Sequence, residues 1–133
     1  QPDHRRVPGN LQDQIRTQLS TALICIVAQQ LLPRISGGRV AAYETLVVTP
    51  GVSNLIRENK TFRINSAIQT GGKFGMKLMD DSLFDLWRDN KVLVEDALAR
   101  AHRPDDLAQR IVNYKRGLLE EGSGNGDEGE VPQ

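Results

Sequence analysis

Apolar residues first recur at helical spacing near the start of the chain. They are separated by four, four, four and three positions, which places them on one face of a helix: Leu11, Ile15, Leu19, Leu23 and Ile26. Asn10 and Asp13 supply a capping oxygen and a carboxylate for the free N–H groups of a helix start. The pattern predicts a helix from Asn10 to about Ala22 whose apolar stripe packs on the core.

A nearly continuous apolar run follows over residues 23–32, and periodicity alone does not separate a longer helix from a buried strand. We favour a strand over residues 28–33. Residues 39–48 are rich in Val, Thr and Tyr and follow Ser36-Gly37-Gly38, which is typical of a hairpin turn. Glu44 is the odd polar residue of this second strand, and a solvent-facing or hydrogen-bonded role is favoured over a functional carboxylate. Cys25 lies in the apolar run and is expected to be an inert core thiol.

The next element is a short helix. Thr49 is suited to the N-cap, and Pro50 fits the first helical position, where its missing N–H costs nothing. Helical geometry puts Val52, Leu55, Ile56 and Asn59 on one side, and Ser53, Arg57 and Lys60 on another. Taken on the residues alone, Arg57 and Glu58 are expected to do no more than solvate an exposed face.

Four further stripes predict the helices of the second half of the chain. The first includes Gly71 and Gly75, where close approach is expected, and the second starts at Asp80 and Asp81 and ends near Asn90. Two more stripes lie on either side of the break at Pro104. The members of the four stripes are Ile64, Ala67 and Ile68; Met79, Leu83, Leu86 and Trp87; Leu93, Ala97, Leu98 and Ala101; and Leu107, Ile111, Tyr114 and Leu118. We therefore predict that residues 1–121 form one domain. Residues 122–133 lack an apolar pattern and are predicted to form a disordered tail.

Composition narrows the function classes. Seventeen basic and seventeen acidic side chains cancel, so no net field favours nucleic acid or an anionic membrane. No apolar run approaches the roughly 20 residues of a membrane span, so we expect no direct membrane insertion and a cytoplasmic protein. The two histidines and one cysteine have no metal-ligand spacing, so no metal site is predicted.

One segment carries a specific resemblance. Gly51 to Glu58 reads Gly-Val-Ser-Asn-Leu-Ile-Arg-Glu. It resembles the Ala-Ile-Arg-Asn-Leu-Ile-Arg-Glu signature of the PilT-type retraction ATPases, which pull type IV pili back into the cell during twitching motility. Five positions match, from Asn54 to Glu58, whereas Ser53 stands where the signature has arginine. The flanking Gln29-Gln30-Leu31-Leu32-Pro33-Arg34 and Ile68-Gln69-Thr70-Gly71 extend the likeness over nearly the whole chain.

A nucleotide motor of this class needs a Gly-rich loop that ends in Lys followed by Ser or Thr, because backbone N–H groups and the lysine hold the phosphates. Gly71-Gly72-Lys73 is followed by Phe74 and lacks the earlier glycine, so it is interpreted as a turn beside a helix. We therefore interpret the chain as the C-terminal part of such a motor, without its phosphate-binding part. No catalytic or cofactor-binding residue is predicted in it.

The resemblance implies an α-rich α/β fold, with a β-hairpin flanked by about five or six helices. This would be the end of a RecA-like P-loop ATPase domain with a helical extension. It also implies a parent hexamer that uses ATP and Mg, acts on a pilus platform protein, and lies peripherally at the inner membrane. The chain alone is expected to bind neither cofactor. The residues expected to couple hydrolysis to retraction are Gly51, Val52, Asn54, Leu55, Ile56, Arg57 and Glu58.

Two alternatives stay open at this point. The chain could come from a pilus-extension or type II secretion ATPase, because Ser53 departs from the signature of the retraction branch. It could also be a non-catalytic helical module that binds another protein through the same exposed faces.

Overall fold

The computed structural model describes residues 7–123, which form one β-hairpin and six α-helices. In chain order these are α1 (Gly9–Ala22), β1 (Cys25–Pro33), β2 (Arg39–Val47), α2 (Pro50–Arg57), α3 (Ile64–Thr70), α4 (Met79–Arg88), α5 (Val94–Arg100) and α6 (Pro104–Ser123). Short 3₁₀ turns at Thr61–Arg63 and Gly72–Phe74 flank α3. The predicted hairpin with five or six helices is confirmed.

The hairpin is antiparallel, and its register runs from Cys25 opposite Val47 to Pro33 opposite Arg39. Its loop is built on Gly37 and Gly38, whose φ angles of 100° and 72° favour glycine. The predicted turn is confirmed. The first strand begins at Cys25, three residues before the predicted start, because β2 supplies pairing partners as far as Val47.

One face of the hairpin forms the main core. Leu32 and Ala42 are fully buried against α4, which follows from their positions on the same side of the two paired strands. Helices α4, α5 and α6, with Val92 from the loop between α4 and α5, contribute the rest of this cluster: Met79, Leu83, Phe84, Val92, Ala97, Leu107 and Ile111. A second cluster lies beneath α2 and α3 and consists of Leu46, Val52, Ile56, Ile68 and Met76.

The two edges of the hairpin differ. On the outer edge of β2, Thr45 and Lys77 exchange two backbone hydrogen bonds of 2.9 and 3.0 Å, and the Tyr43 N–H donates to Ser82 Oγ. On β1, the even-numbered residues bond to β2, so the odd-numbered residues turn their backbone groups to the other edge. Arg100 Nε donates to the Leu31 carbonyl there, while the stretch around Val27 stays open.

The prediction that the α1 stripe packs on the core is wrong. Leu11, Ile15 and Leu19 are between 40 and 44% exposed, and the one buried residue within α1 is Ser20. The helix also begins one residue earlier than predicted, with Pro8 rather than Asn10 at the N-cap and no side-chain cap. Periodicity identifies an apolar face, but it does not say what covers that face.

Cys25 is exposed, so its predicted place in the core is also wrong. It lies on the hairpin face opposite the main core, with Val27, Leu31 and Tyr43, and this face is largely open to solvent. Apolar sequence around Cys25 therefore reflects an uncovered strand rather than an interior one.

Helix α6 docks through its first half. Leu107 and Ile111 are buried, Tyr114 packs edge-on against Phe84 and Trp87, and Leu118 is exposed. Arg110 lies 4.0 Å from the centre of the Phe84 ring and bonds to Asp81 at 2.6 Å. The helix extends through Ser123, and the remaining residues of the predicted tail, 124–133, lie outside the described part of the chain.

Gly71 is the glycine at which close packing is confirmed. A Cβ atom there would lie 2.6 Å from Met76 Sδ and 2.9 Å from the Ala67 carbonyl oxygen. Gly75 differs from the prediction, since a Cβ atom would meet nothing within 4 Å, and its φ of 83° is what favours glycine.

We predict that Gly71→Ala destabilises the chain by about 1–3 kcal/mol, because the added methyl group overlaps a backbone oxygen and a packed thioether. Urea unfolding followed by circular dichroism measures the change. Gly72→Ala is the matched control, because its Cβ would meet nothing within 4 Å. Equal stability of the two variants would contradict the packing described here.

Candidate coupling helix

Helix α2 is fixed at both ends by local hydrogen bonds. Thr49 Oγ1 accepts a bond of 3.3 Å from the Val52 N–H, and Pro50 is the first helical residue, as predicted. At the other end, Asn59 has a φ of 56°, and the Lys60 N–H donates to the Leu55 carbonyl at 2.8 Å. This is the Schellman arrangement, with asparagine at the left-handed position. The helix is thus a short element with defined ends.

The apolar side of α2 holds it on the second cluster. Val52 is 1% exposed and Ile56 is 9% exposed, and both contact the cluster that includes Leu46 and Met76. Leu55 is half-buried, while Asn59 is exposed although it was predicted on the same side. Burial of two branched aliphatic side chains at about 1.5–3 kcal/mol each is the main term that fixes α2.

The opposite side of α2 is polar and exposed. Gly51, Asn54, Arg57 and Glu58 all face solvent. Arg57 Nη1 donates to Asn54 Oδ1 at 3.0 Å, one helical turn back, while Glu58 Oε2 lies 3.1 Å from Lys60 Nζ. Arg57 and Glu58 therefore contact different neighbours and do not pair with each other. Exposed contacts of this kind are worth at most about 1 kcal/mol, so a partner can replace them.

Ser53 makes a contact that sequence reasoning missed. It is half-buried at the crossing of α1 and α2, where its Oγ donates to the Ser20 carbonyl oxygen at 2.5 Å. The partner lies 33 positions away, so no local pattern points to it.

Two carboxylates beside α3 have structural roles. Glu44 Oε1 accepts a bond of 3.2 Å from the Met79 N–H at the start of α4, which confirms the interpretation of Glu44 as a hydrogen-bonded strand residue. Asp80 accepts bonds from the His102 and Arg103 N–H groups at 2.8 and 2.9 Å. These residues line a cleft of about 170 Å³ beside α3. The sequence predicts Asp80 only as a charge at the start of a helix, and no residue near it in the chain indicates its link to the loop before α6.

The segment Gly71-Gly72-Lys73 forms the end of α3 and the following 3₁₀ turn. Its interpretation as a turn beside a helix is confirmed. Within residues 7–123, no three His, Cys, Asp or Glu side chains are grouped so as to hold a metal ion. None of the helices in that range is both long enough and apolar enough to cross a membrane.

Comparison of the fold defines the class of protein. The chain matches the crystal structure of the pilus retraction motor PilT with bound ADP, with a TM-score of 0.68 and 38% identity over 77% of this chain and 28% of that chain. The prediction of an α-rich part of a RecA-like P-loop ATPase, with its hairpin, is confirmed.

Sequence comparison narrows the class to one family. A twitching motility protein of Neisseria gonorrhoeae is 41% identical over 102 residues, which is 76% of this chain and 27% of that protein. The type IV pilus retraction ATPase PilT of Pseudomonas aeruginosa is 39% identical over 100 residues, or 75% of this chain and 29% of that protein. No protein-family model matches the chain. The resemblance to PilT-type retraction ATPases is confirmed, and the chain spans less than a third of the length of these relatives.

We predict that Thr49→Ala lowers the free energy of unfolding by about 1 kcal/mol, because the Val52 N–H loses its side-chain acceptor. Chemical denaturation measures this change. Ser66→Ala, at an exposed position in α3, is the control and should stay within about 0.5 kcal/mol of the wild type. A neutral Thr49→Ala change would show that the cap does not hold α2.

Proposed function

We propose that this chain is a C-terminal part of a motor ATPase that couples ATP hydrolysis to type IV pilus retraction. The observation that carries the proposal is the match from Asn54 to Glu58, which lies on a helix that is anchored on one side and exposed on the other. The names of the relatives favour retraction over pilus extension, secretion or a free-standing binding module.

In this proposal α2 is the coupling helix. Val52, Leu55 and Ile56 anchor it, while Gly51 leaves open space at its first turn and Asn54, Arg57 and Glu58 form the working side. A guanidinium and a carboxylate on a helix with fixed ends can exchange partners between two subunit arrangements. The weak bonds from Arg57 to Asn54 and from Glu58 to Lys60 are suited to such an exchange.

The open apolar surface supports a larger parent protein. The exposed stripe of α1 and the uncovered face and edge of β1 are apolar surfaces of a kind that soluble proteins usually bury. The relatives are more than three times as long as the matched segment, so they contain further residues that could cover this surface. We therefore propose that this surface packs against other parts of the same motor.

The parent motor is proposed to bind ATP and Mg through residues other than those of this chain. The related PilT structure contains ADP, which supports nucleotide binding by the parent. We further propose a hexamer that is cytoplasmic, lies peripherally at the inner membrane, and acts on the pilus platform protein. Sequence similarity to PilT-type proteins is the support for each of these assignments.

We predict that the isolated chain does not hydrolyse ATP, because it has no Gly-rich loop ending in Lys and Ser or Thr. Phosphate release by the purified polypeptide should equal the blank, while the intact protein is the positive control. Turnover by the isolated chain would contradict the assignment of the phosphate-binding part to other residues.

We predict that Arg57→Ala in the intact protein lowers pilus retraction by about tenfold and leaves ATP turnover within about twofold. Loss of a charge-assisted hydrogen bond to the partner in the retracting state corresponds to such a factor. Retraction speed and phosphate release are measured on the same variant.

The control for that experiment is Arg63→Ala, which removes an exposed arginine from the 3₁₀ turn that follows α2. It should change neither readout. A proportional loss of turnover and retraction in Arg57→Ala would assign Arg57 to hydrolysis or folding rather than to coupling.

A further inference from the structure

Helices α1 and α2 meet at a polar contact. Ser20 lies in the last turn of α1 and is 3% exposed, and it is the buried polar residue of the described core. Its own Oγ donates to the Thr17 carbonyl at 2.7 Å, so its hydroxyl is engaged within α1. Carbonyl groups in the last turn of a helix lack intrahelical donors. Ser53 Oγ of α2 supplies the missing donor to the Ser20 carbonyl.

This bond lies within the packing of α1 on α2. Helix α1 packs mainly on α2, while Leu11, Ile15 and Leu19 of its stripe are exposed and Leu23, just after the helix, packs on the second cluster. The chain connection through Leu23 into β1 is the other link. A displacement of α1 therefore reaches the rest of the described structure largely through α2.

Ser53 lies on the same side of α2 as Arg57, and both line the groove between α1 and α2 together with Ser20. Val52 and Ile56 lie on the second cluster, and Arg57 projects into solvent one turn after Ser53. A shift of α1 therefore changes the groove that it shares with Asn54 and Arg57, while Val52 and Ile56 keep the helix axis in place. The geometry connects the open α1 surface to the working side in two steps.

We propose that Ser53 is a positioning residue that transmits the position of α1 to the coupling helix through its bond to the Ser20 carbonyl. This inference rests on the proposed function, because it assigns a role within the retraction motor. Arginine, the residue of the family signature at this position, is also a hydrogen-bond donor and is favoured near a helix C-terminus. Ser53 also supplies a donor, but its short side chain reaches the Ser20 carbonyl only where the two helices are in direct contact.

The test compares Ser53→Ala with Ser53→Thr in the intact protein. Loss of the hydroxyl should reduce the distance retracted per ATP hydrolysed by about fivefold and speed amide exchange in α2 and the last turn of α1 by a similar factor. Turnover of ATP should stay within about twofold. Ser53→Thr keeps the donor and should retain the wild-type values, and Ser66→Ala is the matched control on the exposed side of α3.

The outcomes separate the two levels of the proposal. Unchanged exchange and unchanged retraction per ATP in Ser53→Ala would overturn the role of Ser53, as would an equal fall in turnover and retraction. Absence of turnover in the wild-type intact protein would overturn the proposed function, whereas the exchange measurement would still test the contact. If Ser53→Ala fails to fold, Ser53→Cys keeps the size with a weaker donor and is expected to give the same loss of coupling.

Discussion

The burial of Val52 and Ile56 is the constraint on which the candidate site depends. These two side chains tie α2 to the hairpin through Leu46 and to α3 through Ile68, so the helix orientation follows from the second cluster. The caps at Thr49 and Lys60 then fix where the helix begins and ends. With the apolar side and both ends determined, only the solvent-facing side chains are left free to change partner. The apolar side of this eight-residue helix thus stabilises it, and its polar side is left free to bind a partner.

Two carboxylates of this fold, Glu44 and Asp80, bind backbone N–H groups. Glu44 receives the first N–H of α4, and Asp80 receives two N–H groups from the loop that leads into α6. Both contacts join segments that are more than 20 positions apart in the chain. They connect the hairpin to α4, and α4 to the loop between α5 and α6. Glu44 and Asp80 therefore link separate elements of the fold.

The sequence predicted the features that depend on residues close together in the chain. The N-cap of α2, the glycines of the hairpin loop and the stripe of α4 each follow from residues within a few positions, and the structure confirms them. The stripe of α1 shows the limit, because periodicity reports an apolar face without reporting its cover. Ser20 and Ser53 illustrate the same limit for polar contacts. No residue near either serine in the chain points to the other, because their bond exists only once two separate helices cross.

The open edge of β1 has a consequence for any laboratory that works with these residues alone. A strand that presents unpaired N–H and C=O groups beside Val27 is a template on which another copy can add its own strand. In a preparation of the polypeptide by itself, this edge is the place where two copies would pair. A charged residue or a proline introduced there would act as a gatekeeper and keep such a preparation monodisperse.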